Sequence, residues 1–283
     1  MDRRMNQRAI WAIARKDIQA ITANFQVWLP MLIIPILLGV VMPTVAVLVL
    51  AYAIDLSNPS EDVVTLLNWL EKIPSGGLKA TLESYPIVNQ RLIYLVANYM
   101  ISSFFLIVPL MTASVVSADS FAGEKERGTL ETLLFAPVDM LSLFVGKVLA
   151  SLIPAVGLSL ATFLLAAVTM NAAGWPLFHS LFFPNINWLP MILLVIPMIS
   201  LLTILFNLFV SARVATFQAA YQMGGMVILP VLLLIGGQAT GVIFLDTVVV
   251  TVIGLVLAVI NLVVLQQVLK RLDRNLLFAS QIK

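Results

Sequence analysis

The chain has 283 residues, of which 61% are hydrophobic and only 11% charged, with a formal net charge of +2 and no cysteine. Soluble domains carry about 25% charged residues, so the composition fits a polytopic membrane protein rather than a water-soluble enzyme. Without cysteine there are no disulfides, thiolate metal sites or cysteine nucleophiles, and the small basic excess, placed at helix ends, does not suggest nucleic-acid binding.

Residues 6–26 read as an amphipathic helix. Ile10, Ala14, Ile18, Ile21, Phe25 and Trp28 recur at steps of three or four, while Arg8, Arg15, Lys16 and Gln19 fall mostly elsewhere on the wheel. A basic helix of this kind is expected to lie in the membrane interface. Because a spanning helix needs about 20 mainly apolar residues, six spans follow, at roughly 27–54, 92–118, 143–170, 188–210, 218–237 and 247–269. Ala51-Tyr52-Ala53 mimics a signal-peptidase site, but the apolar stretch before it exceeds a signal-peptide core, so the first span is read as retained.

Residues 55–91 form the connection between spans one and two. Ser60 can cap a short helix, with Glu61 and Asp62 in its first turn. Val63, Leu66, Leu67, Leu70 and Ile73 give that helix one apolar face, and Pro74-Ser-Gly-Gly77 ends it. Within span two, Asn98, Ser102, Ser103, Thr112 and Ser114 are polar, as are Gln218, Tyr221 and Gln222 in span five. Either helix packing or a polar path accounts for them.

The connection at 119–142 is the densest charged run, with Glu124, Lys125, Glu126, Arg127 and Glu131, and these charges are expected to face water. Span two can continue as helix into Glu126, where Lys125 and Arg127 favour the helix C-terminus. Gly128 suits the left-handed residue that ends a helix. Thr129 can cap a second short helix with Glu131 in its first turn. Leu130, Leu133, Leu134 and Phe135 would form its apolar side, Pro137 would stop it, and Asp139 can start the helix entering span three.

Residues 171–187 connect spans three and four and carry no lysine or arginine; Trp175 and Trp188 suit an interfacial belt. Span five is rich in Gly224, Gly225, Pro230, Gly236 and Gly237, which allow close approach or bending. Thirteen of the sixteen basic residues fall on the side of the N-terminus, the 119–147 connection, Arg213 and the C-terminal tail, leaving Lys72, Lys79 and Arg91 opposite. The positive-inside rule makes the larger group cytoplasmic, and with it both termini.

No G-x-x-x-x-G-K-[ST] occurs, so no phosphate-cradling loop is present, and ATP hydrolysis would have to come from another chain. There is no H-E-x-x-H, and His179 is the only histidine; it reads as an interfacial loop residue. No ionisable residue falls clearly mid-span, Arg213 and Asp246 lying at span ends, which argues against a proton pump built on buried carboxylates.

The run Glu124-Lys-Glu-Arg-Gly-Thr-Leu-Glu-Thr-Leu-Leu-Phe-Ala-Pro137 resembles the motif E-K-E-x-G-T-x-E-x-L-L-x-x-P of ABC-2 type transporter permeases. Gly146-Lys147 continues the match, and Ser211–Ala220 is similar to that family's fourth-to-fifth connection. The resemblance covers essentially the whole chain. It implies an all-α integral membrane protein, one transmembrane domain over 1–283, with six helices, an interfacial helix before span one and a cytoplasmic coupling-helix hairpin. It further implies the permease subunit of an exporter in the cell membrane, not itself an enzyme. Two ATP-binding subunits would bind ATP and Mg, this chain holding no cofactor or metal, and a second permease subunit, identical or related, would pair with it in membrane lipid. Contacts to the ATP-binding subunit are then expected from Glu124, Glu126, Arg127, Gly128, Thr129, Leu130, Glu131, Leu133 and Leu134. A substrate path along spans two and five would use Asn98, Ser102, Ser103, Gln218, Tyr221 and Gln222. Two rivals are a secondary transporter or channel subunit, disfavoured by the lack of buried charge and internal repeats, and a membrane scaffold without transport.

Overall fold

A computed structural model describes residues 6–54, 61–73, 77–128, 138–211, 213–214, 216–240 and 243–271. Among these, all regular structure is helical. Six helices are long and apolar enough to cross a membrane: Trp28–Ala53, Val88–Glu126, Met140–Phe178, Trp188–Ser211, Phe217–Ala239 and Thr247–Val268. Each coincides with an expected span.

Spans two and three are longer than the apolar stretches that announce them. Each has 39 residues, about 58 Å of helix at 1.5 Å per residue, against a hydrocarbon core of about 30 Å. Their ends therefore project beyond any bilayer. The connection expected over 171–187 is shorter for the same reason: helix continues to Phe178 and the loop is confined to 179–187. His179 closes the helix in a left-handed conformation (φ 49°), its N–H donating to the Trp175 carbonyl at 2.9 Å.

Span two is the axis of the bundle. In its apolar window 78% of the residues are buried, against 17% for spans five and six. It packs on spans one, three and four along most of its length. Spans five and six keep apolar side chains such as Leu233, Val248 and Val259 on the outside, as expected of faces that meet lipid or another helix.

The N-terminal helix, Gln7–Ala23, is capped by Asn6, whose side chain accepts from the Arg8 and Ala9 N–H groups. Its apolar face, Ile10, Ile13, Ala14 and Ile21, is buried chiefly against span three rather than left for lipid. Gly146 makes the approach possible, since a Cβ there would meet the Ile13 Cβ at 2.9 Å. Asn6 N–H adds a hydrogen bond to Ser142 Oγ at 3.0 Å. The buried stripe differs in phase from the expected one: Phe25 is exposed, Ile18 is half-buried, and Asp17 takes a buried place.

The opposite, far end of the bundle is closed by two short helices and a loop. Helices Glu61–Lys72 and Gly77–Glu83 lie where the sequence placed one, and Ile73 and Leu82 pack on Leu95 and Tyr99 of span two. Ser60 and residues 74–76, assigned to cap and end the first of them, lie outside the described residues. The 179–187 loop is pinned by amides. Asn171 Oδ1 accepts from the Phe182 and Phe183 N–H groups at 3.0 and 3.3 Å. Asn98 donates to the Phe182 carbonyl and accepts from Asn185 N–H. Beneath the loop Trp188 packs against Phe105, Phe163 and Phe183, with ring centroids 5.5, 5.1 and 5.0 Å away.

Candidate functional site: the base of the 119–147 hairpin

The helix of span two widens over one turn, Asp119–Gly123, where the hydrogen-bond ladder becomes π-helical; such turns are frequent at functional sites. From this turn onward Glu124, Lys125 and Glu126 are each engaged by a different part of the chain, and Asp119 and Arg127 pair with each other.

Glu124 is buried at 5% exposure. One oxygen, Oε2, lies 2.5 Å from Lys147 Nζ of span three, and the other, Oε1, lies 2.7 Å from Lys16 Nζ of the N-terminal helix. Lys147 is itself only 2% exposed. Its ammonium also donates to the Ser120 carbonyl at 2.6 Å and lies 3.4 Å from Asp17 Oδ2. Ser120 Oγ closes the ring by donating to Asp17 Oδ2 at 2.8 Å, and the Phe121 ring lies 5.5 Å from Lys147 Nζ. A buried ammonium has three donors to place and no acceptor, and here acceptors from two other elements, the N-terminal helix and span two, surround it. Lys16, half outside, completes the charge balance; burial works against its charge, but the hydrogen bond and charge of Glu124, with Asp17 behind them, hold its pKa above the ordinary lysine value.

The neighbouring charges reach elsewhere. Arg127 Nη1 pairs with Asp119 Oδ1 at 2.8 Å, a hydrogen bond that raises the guanidinium pKa despite partial burial. Lys125 Nζ donates to the Val214 carbonyl at 3.1 Å, after span four. Glu126 Oε2 accepts from Phe217 N–H at 2.7 Å, at the first turn of span five, where a carboxylate complements the helix dipole. Gly128 then turns left-handed, with φ 69° and, among the described residues, nothing within 4 Å of where a Cβ would stand. Its N–H donates to the Lys125 carbonyl at 3.2 Å. The left-handed turn expected of this glycine is therefore present.

Thr129, Leu130, Glu131, Leu133 and Leu134 lie outside the described residues. On the return arm Asp139 caps span three by accepting from Ser142 N–H at 2.8 Å. Its slight burial opposes ionisation, and the hydrogen bonds from Ser142 prevail and lower its pKa.

These positions correct part of the sequence reading. One charge expected to face water does not: Glu124 is enclosed by Lys147 and Lys16, so its carboxylate is not displayed to a soluble partner, whereas Glu126 and Arg127 are exposed as expected. Asp17, Asp119, Ser120 and Lys147 belong to the site and were not assigned to it. A signal existed for two of them, since Asp17 falls on the apolar stripe of its helix and Lys147 lies within the apolar start of span three.

The polar residues suggested for a path divide in two. Asn98, Ser102 and Ser103 are buried and satisfied within the chain, Ser102 by the Tyr99 carbonyl at 2.5 Å and Ser103 by the Gln238 side chain of span five. Their hydrogen bonds run to their own helix, to the 179–187 loop and to span five. Gln218 and Gln222 are exposed on span five, and Tyr221 is half-buried, stacked on Phe217 with centroids 6.2 Å apart. A further polar seam ties span four to span two through Asn207 Nδ2 and Ser117 Oγ at 2.7 Å. Span five closes on it at Gly224, where a Cβ would run into the Asn207 amide.

A family model described as ABC-2 family transporter protein matches residues 11–273. No curated protein and no solved structure matches the chain.

Proposed function

We propose that this chain, which belongs to the ABC-2 family of transporter proteins, is the permease subunit of an ATP-driven exporter, and that the segment beyond Gly128 docks on its ATP-binding partner. A multi-pass permease of this family works with separate ATP-binding subunits. In our reading two such subunits carry ATP and Mg, and a second permease chain completes the path. The thirteen-to-three distribution of basic residues supports a cytoplasmic hairpin and cytoplasmic termini.

The observation that carries the proposal is the bracing of the hairpin base. Glu124, Lys125 and Glu126 reach the N-terminal helix, span three, the end of span four and the start of span five. A push on residues 129–137 then moves several spans at once, as ATP-driven alternation between inward-open and outward-open states requires. Partner contacts are assigned to Thr129, Leu130, Glu131, Leu133 and Leu134, with Glu126 and Arg127 at the margin. Along the path we retain Gln218, Tyr221 and Gln222 of span five.

The test uses the absence of native cysteine. A Ser75→Cys chain in intact cells should react with an impermeant thiol reagent. A Leu133→Cys chain should be labelled only in inverted vesicles, and co-expression of the ATP-binding subunit should protect it. Labelling of Leu133→Cys in intact cells, or no protection in the assembled complex, contradicts the proposal.

A further inference from the structure

We infer that Lys147 is a positioning residue that makes the N-terminal helix, the first arm of the hairpin and the start of span three one mechanical body throughout the transport cycle. Its functional consequence rests on the coupling role proposed above; its geometry does not.

Two kinds of link leave the hairpin base. Toward span five they are single and outlying: Lys125 to one carbonyl, and Glu126 to one N–H at an exposed position. Toward the N-terminal helix and span three they converge on one buried ammonium. Lys147 meets Glu124, Asp17 and the Ser120 carbonyl, while Lys16 and Ser120 Oγ hold the same two carboxylates from the other side. Drawing span three away from the other two would leave Lys147, buried among them, without either carboxylate, which is the costly way to break a buried ion pair. The outlying links, one exposed and one part-buried, open and re-form at less cost. Gly146, beside Lys147, adds a backbone approach with no room to slide, because Ile10 and Ile13 lie directly against it. A cluster built this way transmits displacement from the hairpin to the N-terminal helix without slack.

The residues are separated enough in sequence for the idea to be tested by cross-linking. Asn6 N and Ser142 Oγ lie 3.0 Å apart, outside the ion cluster. Cysteines placed at both positions, in this chain without native cysteine, can be joined by a short bis-methanethiosulfonate. In native membranes holding the whole complex, the yield should be the same with and without ATP, and the joined protein should transport within about twofold of the unjoined one. A second arm removes the clamp while keeping charge balanced: Glu124→Gln with Lys147→Met leaves Asp17 facing Lys16. That variant should keep its membrane level and its KM for ATP, lose at least about tenfold in transport rate, and recover most of it when the Asn6–Ser142 pair is joined.

A purely structural role predicts normal transport once the charge is balanced, and that result overturns the inference. So does a cross-link that stops transport or whose yield changes with ATP, because the two elements then move against each other. If the balanced variant does not reach the membrane, the cross-link on the native cluster decides alone. A hairpin with no part in coupling would show itself separately, as normal transport by a Gly128→Val chain with an unchanged cross-link yield.

Discussion

The two ends of the bundle solve one problem with different chemistry. At each end a segment outside the spans must be held to spans two and three. At the hairpin end ions do it, with Lys147 gripping Asp17 and Glu124; at the far end neutral amides do it, with Asn171 and Asn98 holding the 179–187 loop. An amide pin fails piecewise, one hydrogen bond at a time. An ion cluster fails as a unit, because removing one member strands the others. The hairpin end is therefore built to move whole or not at all, and the far end is built as a lid seated on an aromatic core.

The largest effect that could break this comparison is at Lys147. Lys147→Met leaves two buried carboxylates with only Lys16 to balance them and should cost about 3–5 kcal/mol, read as a large drop in unfolding temperature in detergent. Adding Glu124→Gln should restore most of it; a failure to do so would mean that the ammonium matters for packing and not for charge. Next comes Asn171→Leu, which removes the one oxygen shared by the Phe182 and Phe183 N–H groups, at about 1–3 kcal/mol, and should open 179–187 to protease. No second substitution among the neighbouring amides should repair it. The smallest is Arg127→Met together with Asp119→Asn, which removes the pair without stranding the buried Asp119. The Arg127 side chain is 47% exposed, so the pair is worth about 1 kcal/mol or less, and the unfolding temperature should barely change. A large drop there would make Arg127 part of the cluster and sharpen its boundary.

Much of the fold was legible because water and hydrocarbon impose it. Twenty apolar residues announce a span wherever they occur, and the six were found on that ground. Their ends were less legible, since span two starts at Val88 and span three ends at Phe178, in sequence that protein contact rather than lipid keeps helical. Single-residue chemistry also showed through: Gly128 turns left-handed and Asp139 caps, because few other residues do either well. What stayed hidden was pairing. Asp17 and Lys147 are far apart in sequence, and only the fold brings them together. Polarity inside a span, as at Asn98 or Ser103, does not say whether the partner is another helix or a passing substrate; here it is the Phe182 carbonyl and Gln238.

The central claim, that the hairpin carries force from an ATP-binding partner into this braced unit, is tested most directly at its turn. Glu124 is internal, so reversing its charge would report on the cluster and not on docking. Gly128 has φ 69° and no described residue against it, and a side chain there costs about 1–2 kcal/mol in the left-handed conformation, enough to redirect residues 129–137 without unfolding the spans. Transport and ATP hydrolysis should be measured in proteoliposomes holding the complete complex, native against Gly128→Val, with the level of the chain in the membrane measured alongside. The account predicts normal membrane levels, with transport largely lost and ATP hydrolysis no longer stimulated by substrate. Normal transport by the Gly128→Val complex would contradict it.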